Sequence, residues 1–291
     1  MIAMRMAYMI MAHDNRAGLE ALVAALLPPG APDVVIIHAD AASALWRDLN
    51  ARPLAADPRV IVLPQPVRVR WGHRSQVSAQ RLLIEAALEA SADYAHMLSG
   101  VCWPVASRAT ILADIAQAPP GTCFAEAVPG EQSGRMQDYR FDTRWLRVDP
   151  ARDRLAYAAT WELRRLARWA GALRQALGRA RGTPLGPWHK GSSWWSLPAS
   201  ALASTARDLA MLDEGGRLKG TVCADEHAVP TSLALRHAGR LQPNRRFIAF
   251  PPGQSSPRTL TAADLPAIRA SGAWFIRKVD AAVDPFFHAL P

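Results

Sequence analysis

Apolar and polar positions alternate in blocks along the first half of the chain. Four short apolar runs have the length and β-branched content of buried strands, and they lie at 7–11, 34–38, 60–63 and 94–98. Four stretches show helical periodicity, at 17–27, 42–49, 75–90 and 108–116. Strands and helices alternating at these lengths predict an α/β fold with a mostly parallel, doubly wound central sheet. Ligands of such sheets bind beyond the carboxyl ends of the strands.

The middle of the chain has a different character. Segment 144–181 is rich in arginine, and its tryptophans are Trp145, Trp161 and Trp169. Within it, 155–177 predicts one amphipathic helix. Two interpretations stay open: a solvated helix that packs its tryptophan face on the core, or a surface for a membrane or an anionic glycan.

Helical periodicity returns at 199–212 and 226–236, without an internal repeat or a low-complexity linker. We interpret the chain as one domain, 1–291, with a variable Arg/Trp-rich insertion at 144–190. The chain is 50% hydrophobic and 20% charged, which is ordinary for a globular protein.

The net charge of +9 favours anionic partners, although a high-GC coding bias explains the same excess of arginine. No recognised nucleic-acid motif is present, so nucleic acid is not an expected partner. The three cysteines form no CxxC pair, which fits a reducing compartment. No apolar run approaches the roughly 20 residues of a membrane span. We expect a cytoplasmic protein, at most peripheral at an inner membrane.

The usual catalytic signatures are missing from the chain. There is no P-loop, GxGxxG, HExxH or GxSxG motif. The chain also has no Asp-x-Asp pair, on which many sugar-nucleotide transferases hold a divalent metal. A glycosyl transferase with this sequence needs cationic side chains to neutralise a diphosphate, and we expect neither a metal nor another cofactor.

Five segments, in order, carry a resemblance to a known family. They are AYMIMAHDN (7–15), VVIIHAD (34–40), RWGHRSQVSAQRLLIEAAL (70–88) with YAHMLSGVCWPV (94–105), GSSWWSLPASAL (191–202) with CADEHAVPTSL (223–233), and SPRTLTAADL (256–265) with WFIRKVD (274–280). This set resembles the core-2/I-branching β-1,6-N-acetylglucosaminyltransferase and peptide O-xylosyltransferase family, glycosyltransferase family 14. The resemblance implies a GT-A-type Rossmann-like fold, an inverting reaction, a UDP-sugar donor (GlcNAc or xylose) and no metal.

The resemblance also implies an acceptor, which we expect to be a glycan or lipid-linked glycan in surface polysaccharide or glycolipid synthesis. Because the chain lacks the membrane anchor and stem of Golgi relatives, we expect a bacterial member. A rival interpretation from another class is a non-catalytic carbohydrate- or anion-binding protein on the same fold.

Glu226 is the candidate catalytic base. In CADEHAVPTSL it matches the family's acidic residue that deprotonates the acceptor hydroxyl. Inverting transfer needs a carboxylate on the face of the sugar opposite the leaving group. The alternative is an acid at a helix N-terminus, with Asp225 as the cap and Glu226 beside the helix dipole.

Basic residues near the end of the chain are candidates for the diphosphate. Lys278, with Arg277 beside it, matches the family's basic residue at the donor diphosphate, and Arg246 and Arg258 are candidate helpers. A fixed cation stabilises the charge that grows on the leaving phosphate. The alternative for each is an ordinary surface cation.

Nucleotide contacts are expected just after the strands. A glycine there lets the backbone approach a ligand closely, and a helix N-terminus favours phosphate. The candidates are His13, Asp40, Arg70, Trp71, Gly72, Ser75, Ser99 and Gly100.

For the acceptor, the candidates are Trp194, Trp195 and Ser193. Tryptophan rings can stack on sugar faces, but alternation along a strand predicts that only one of the pair faces the cleft, and we favour Trp194. Two positions depart from the family pattern: Cys102 and Ser193 stand where relatives have aspartate. The roles of those aspartates therefore do not carry over, and we expect Cys102 to be a buried apolar residue.

Overall fold

The strands form three sheets in a computed structural model that describes residues 4–54, 57–137, 153–178, 185–254 and 256–289. In chain order the strands are β1 Met6–Ala12, β2 Val34–Ala39, β3 Val60–Val62, β4 Tyr94–Ser99, β5 Cys102–Pro104, β6 Cys123–Phe124, β7 Val128–Pro129, β8 His189–Lys190, β9 Ser196–Pro198, β10 Leu241–Gln242, β11 Arg246–Ile248 and β12 Phe275–Arg277. The helices are α1 Arg16–Leu26, α2 Ala44–Ala51, α3 Ser75–Glu89, α4 Arg108–Gln117, α5 Gly134–Gln137, α6 Arg154–Ala159, α7 Trp161–Ala176, α8 Ala199–Glu214, α9 Ala228–His237 and α10 Leu265–Ser271.

The central sheet has the order β10-β6-β9-β4-β1-β2-β3. Strand β1 pairs in parallel with β2 and β4, and β2 pairs in parallel with β3. Strand β9 runs antiparallel to both β4 and β6. A smaller sheet has the order β11-β12-β5, and β7 pairs with β8. The mostly parallel α/β sheet that the sequence predicts is therefore confirmed.

The central sheet is buried on both faces. Met9 pairs in register with Ile36 and Met97, and these three side chains pack with α3 and α8 in one apolar cluster. Ile10 and Leu98, one residue further along their strands, join the opposite cluster with α1 and β12. Neighbouring positions on a strand point to opposite faces, and a sheet covered on both sides needs the near-continuous apolar runs that the sequence has.

The predicted strands and helices of the first half appear within two residues of their expected bounds. Asn15 caps α1, where its side chain accepts a hydrogen bond from the backbone N–H of Gly18 at 3.0 Å. The second half differs in two places. The predicted helix 226–236 is a 3₁₀ turn at Ala224–Glu226 followed by α9. The predicted single helix 155–177 is the pair α6 and α7.

The break between α6 and α7 lies at Thr160. Its hydroxyl donates to the carbonyl oxygens of Ala156 and Tyr157, both at 3.1 Å, which ends α6 by a local side-chain bond. The expectation that the tryptophan face of this segment packs on the core is wrong. Trp161 and Trp169 are 49% and 68% exposed. The remainder of the predicted insertion 144–190 lies partly outside the described residues, as does Trp145.

Candidate functional site

One edge of the central sheet gathers most of the predicted site residues. The parallel strands β1, β2 and β4 end there, at Ala12, Ala39 and Ser99. Because β9 is antiparallel to β4, the residues just before β9, including Trp194, reach the same edge. Strand β12 adds Arg277, which pairs in register with Cys102, three residues beyond Ser99. This edge is where ligands of parallel α/β sheets bind.

A tight turn presents Glu226 at this edge. The turn begins at Cys223, whose φ of +53° is left-handed, and its N–H donates to the carbonyl oxygen of Gly72 at 2.9 Å. Glu226 closes the 3₁₀ helix, and its carbonyl oxygen accepts a hydrogen bond from the N–H of Gly191 at 2.9 Å. Gly191 also lies against the backbone of Glu126. A Cβ at Gly191 would lie 2.1 Å from the carbonyl oxygen of Glu126, so only glycine fits at this position.

The carboxylate of Glu226 is oriented by a cation and stays accessible. Its Oε2 accepts a hydrogen bond from Nη1 of Arg135 at 2.7 Å, and its side chain is 34% exposed. In the alternative of an acid at a helix N-terminus, the expected cap is not formed, since the side chain of Asp225 does not cap α9, while Glu226 lies just before this helix, which begins at Ala228.

Asp225 is buried directly behind the candidate base. Its Oδ2 accepts hydrogen bonds from Oγ of Ser193 at 2.6 Å and from Nε2 of Gln76 at 3.3 Å. Its Oδ1 has no hydrogen-bond partner among the described residues. Burial raises the pKa of this carboxyl to about 6; the negative charge of Glu226 adds to the rise, and the Ser193 hydrogen bond opposes it. Ser193, predicted as an acceptor contact, is thus engaged in positioning Asp225.

Arg277 joins Ser99 and Trp194 into one cluster. Its guanidinium lies over the Trp194 ring, 4.5 Å from the centroid, and donates to Oγ of Ser99. The backbone N–H of Ser99 donates to Sγ of Cys102 at 3.3 Å. Cys102 is buried, as the sequence predicts, and here it fixes the end of β4. The stacked guanidinium leaves Arg277 at the sheet edge with a rigid, oriented charge.

Lys278 and Gly100 flank this cluster. The Nζ of Lys278 donates to Oγ of Ser256 at 3.0 Å, and its carbonyl oxygen accepts from the N–H of Leu260. Gly100 lets two strand ends approach closely, because a Cβ there would lie 3.2 Å from that of Ala12. The cation and the close backbone both lie at the edge expected for a nucleotide.

The other candidates line the loops after β1, β2 and β3. Asp40 accepts hydrogen bonds at Oδ1 from the N–H groups of Ala42 and Val69, both at 3.0 Å, so its carboxylate organises the loops. The hydroxyl of Ser75 likewise accepts from the N–H of Arg70 at 3.0 Å. The side chains that stay exposed here are those of His13, Arg70 and Trp71.

Gly72 adopts a φ of +63° beside Cys223 and so joins this loop to the Glu226 turn. A left-handed φ is free of strain only for glycine, which explains the residue type at this junction.

Two of the predicted site residues are buried away from their expected roles, and a third is held in an ion pair. Trp195 is 1% exposed within the core, so it cannot contact an acceptor. Arg246 turns inward: its Nη2 donates to the carbonyl oxygen of Trp195 at 2.9 Å and to Oγ of Ser196 at 3.0 Å, and burial lowers its pKa to about 10. Arg258 pairs with Asp264 at the surface. The buried Arg246 is therefore not free to bind a diphosphate, whereas Arg258 is exposed and its role stays a prediction.

Sequence reasoning missed two residues of the site. Arg135 and Gln76 hold Glu226 and Asp225, yet they lie 91 and 149 residues away in the chain. Arg135 lies outside the five segments that carry the family resemblance, and Gln76 lies within segment 70–88, where no pattern distinguishes it from its neighbours.

Among the described residues, no group of three or more His, Cys, Asp or Glu side chains has the arrangement to hold a metal ion. In the described part of the chain, the charged groups that this edge offers a ligand include Glu226, the cations Arg277 and Lys278, and the exposed side chain of Arg70.

A cavity of about 830 Å³ lies away from this edge, between α4 and α10, and contains none of the predicted site residues. Its walls are mostly apolar, with Trp103, Ile111 and Trp274 among them. We place the site at the sheet edge because Asp225, the neighbour of Glu226, accepts a hydrogen bond from Ser193, and Arg277 stacks on the adjacent Trp194.

Comparison with known protein families identifies the family of this chain. The family model for the core-2/I-branching enzyme matches residues 6–269. A search of curated protein sequences gives no significant match. The matched span includes Glu226 and ends before Arg277 and Lys278.

Solved structures similar to this chain include three glycosyltransferases. The apo structure of the bifunctional glycosyltransferase WbbM is 11% identical, with 93% of this chain and 45% of that chain covered and a TM-score of 0.40. Apo mouse xyloside xylosyltransferase 1 is 12% identical, with 93% and 97% covered and a TM-score of 0.36. The galactosyltransferase LgtC, in complex with donor and acceptor sugar analogues, is 12% identical, with 94% and 88% covered and a TM-score of 0.40. The chain thus spans less than half the length of WbbM.

Proposed function

The chain belongs to the core-2/I-branching enzyme family and is a glycosyltransferase, and from this premise we propose an inverting, metal-independent transfer of a sugar from a UDP-sugar to a glycan hydroxyl. The observation that carries the proposal is the accessible carboxylate of Glu226, held at the carboxyl edge of the sheet by Arg135 and by a rigid backbone turn. A general base must be both oriented and reachable, and this side chain is both.

The proposed reaction is a single displacement. The acceptor hydroxyl oxygen attacks C1 of the sugar while Glu226 takes its proton, and the bond from C1 to the UDP oxygen breaks on the opposite face. With an α-linked UDP-sugar the product is a β-linked glycan. The proton ends on the carboxyl of Glu226 and the electron pair on the leaving diphosphate.

Negative charge grows on the β-phosphate as the bond to C1 breaks. We assign its stabilisation to Arg277 and Lys278, which lie at the same edge as Glu226. A preorganised guanidinium, stacked on Trp194 and bonded to Ser99, needs little rearrangement as the charge develops. In this assignment the two cations take the place that a divalent metal has in transferases with an Asp-x-Asp pair.

A metal-free assay of donor turnover tests the proposal. UDP release from a panel of UDP-sugars, beginning with UDP-GlcNAc and UDP-xylose, is measured in EDTA with glycan acceptor mixtures. We expect release by the wild type and a loss of kcat of about 10²–10⁴-fold in Glu226→Gln, which keeps the shape of the side chain but removes its basicity.

Glu85→Gln is a matched control for this assay. Glu85 is 37% exposed and paired with Arg81 at 2.7 Å, nearly the same as Glu226 with Arg135, but it lies on the α3 helix as an i,i+4 pair. Equal losses in the two variants would remove Glu226 as the base. UDP binding without release would favour the rival carbohydrate- or anion-binding function, and release only with added Mg²⁺ or Mn²⁺ would overturn metal independence.

A further inference from the structure

Segment 155–177, which runs from the first turn of α6 to the end of α7, exposes an unusual number of apolar side chains. Thirteen large hydrophobic residues are exposed in the part of the chain that the structure describes, and seven of them fall within 155–177. These seven are Leu155, Trp161, Leu163, Leu166, Trp169, Leu173 and Leu177. Single exposed leucines are ordinary, whereas a cluster of this size marks an interaction surface.

Four of the seven exposed residues form a stripe on one side of the helix. Leu166, Trp169, Leu173 and Leu177 follow one another at spacings of three and four, which keeps them on one face. The buried residues are also spaced by three and four, and they lie on the opposite side of the helix. They are Thr160, Arg164, Ala167 and Gly171. Helix α7 therefore rests on the protein by one side and presents a second apolar side outward.

Cations border the exposed apolar face. Arg165, Arg168 and Arg174 are exposed on the same helix. Its acidic residue, Glu162, is paired with Arg165 at 3.1 Å. Between 153 and 178 five arginines face two acids, a balance of 5 − 2 = +3. Arg168 lies over the ring of Trp161, 5.6 Å from its centroid, so cation and indole are presented together.

The dimensions suit a helix that lies in a membrane interface. At 1.5 Å per residue the 16 residues of α7 extend about 24 Å. Within the described ranges, no helix combines the length and apolar character needed to cross a bilayer. An apolar stripe of leucine and tryptophan bordered by arginine is the pattern of interfacial helices that bind anionic lipid.

We propose that α7 lies in the headgroup region of an anionic bilayer, with Leu166, Trp169 and Leu173 in the acyl boundary and the exposed arginines on lipid phosphates. An acidic glycan would use the arginines and tryptophans but would leave the leucines in water. A second copy packed face to face would place +3 against +3, which opposes association. A bilayer with anionic headgroups satisfies both the apolar face and its charged border.

Co-sedimentation of the full chain with vesicles tests the charged border. The probes are phosphatidylcholine vesicles with and without phosphatidylglycerol. The test variant carries three changes on α7, namely Arg165→Gln, Arg168→Gln and Arg174→Gln. The control variant carries three changes at exposed arginines elsewhere, namely Arg47→Gln, Arg207→Gln and Arg217→Gln.

Each arginine at the surface of an anionic membrane strengthens binding about fivefold, so the test variant should bind phosphatidylglycerol vesicles about a hundredfold more weakly than the wild type. The control variant has the same net charge and should lose less than about threefold. Equal losses in both would mean that only the overall charge matters, and failure of the wild type to bind anionic vesicles would also overturn the proposal.

The apolar face is tested by Trp169→Ser with Leu173→Ser, against Met211→Ser with Leu235→Ser at other exposed positions. Only the first pair should lose vesicle binding, and both pairs should keep the wild-type melting temperature. Loss of a dimer in light scattering, with vesicle binding unchanged, would instead assign the face to a second copy. These measurements do not depend on turnover, so their outcome is independent of the proposed sugar transfer.

Discussion

The Glu226 turn and helix α7 depart in opposite ways from the usual division of polar and apolar residues. In the turn a carboxylate, Asp225, is buried, and one of its oxygens lacks a hydrogen-bond partner among the described residues. In the helix, leucine and tryptophan side chains face water. Buried charge and exposed apolar surface both work against folding stability, so neither is selected by folding alone. These are the two places where we propose that the chain interacts with another molecule.

The two regions also differ in what holds them. The turn is fixed by long-range hydrogen bonds, from Ser193 and Gln76 to Asp225 and from Arg135 to Glu226. Helix α7 packs on the protein along one narrow side, where Ala167 and Gly171 are buried. It is also held by local contacts such as that of Arg164 with the ring of Tyr157. A preorganised site needs the first kind of support, whereas a docking surface functions with the second.

The largest contrast should come from one tryptophan in each region. Trp195, next to the turn, is 1% exposed, and Trp169 on α7 is 68% exposed. Trp195→Ala should lower the free energy of unfolding by about 3–5 kcal/mol, because it leaves a cavity in the core. Trp169→Ala should change it by less than about 0.5 kcal/mol. Urea denaturation measures both, and a similar loss for the two would mean that Trp169 is packed in solution.

The next effect concerns the buried carboxyl of Asp225. Its pKa is about 6 in the folded protein and 3.8 without burial, so the folded state holds the proton more tightly. This group's contribution to stability is therefore fully present below pH 3.8 and is lost as pH rises through 6, by about 3 kcal/mol. Asp225→Asn removes the ionisation, and the variant should gain stability relative to the wild type between pH 4.5 and pH 8.

A control of opposite sign accompanies this measurement. Arg258 lowers the pKa of Asp264 by direct hydrogen bonding, so that carboxylate stabilises the fold above pH 3.8 and loses this effect as pH falls through its folded pKa. Asp264→Asn should therefore cost stability at pH 8, and the loss should shrink in acid. If both variants responded to pH in the same direction, Asp225 would not be buried as described.

The parallel sheet could be predicted from the sequence, because each apolar run coincides with a strand of the structure. The placement of Arg246 and Arg277 was not predictable, since both are basic residues at the ends of short strands. Only the packing of β11 and β12 turns the first inward onto Trp195 and the second onto Trp194. The exposure of the apolar face of α7 could not be predicted either, because amphipathic periodicity does not say whether protein or solvent covers the apolar side.

Glu226 itself was predictable only through the family resemblance. Its spacing from Asp225 fits a helix N-terminus just as well, and the residue that orients it, Arg135, is 91 residues away. Contacts at such separations depend on the whole fold, which a single sequence does not encode in any local pattern.

A smaller effect, on kcat/KM, is expected from replacing two arginines that have different surroundings in the structure. Arg277→Ala should lower kcat/KM about 10- to 100-fold, the contribution of a charged hydrogen bond to a leaving phosphate. Arg258→Ala should lower it less than about threefold, because its partner is Asp264. Steady-state UDP release measures both. Similar losses would move the diphosphate site away from the cluster of Arg277, Ser99 and Trp194.

The smallest effect tests whether Ser193 serves Asp225. Ser193→Ala removes the 2.6 Å hydrogen bond, which opposes the rise in the pKa of Asp225, while Gln76 remains as a donor. The expected loss is about 1 kcal/mol at pH 8, where Asp225 is ionised, and less at pH 4.5, where it is protonated. Introduced together with Asp225→Asn, the same change should lose its pH dependence, since no ionised carboxylate is left to stabilise. A pH-dependent cost that persisted in the double variant would instead assign Ser193 to another titrating group, with Glu226 the nearest candidate.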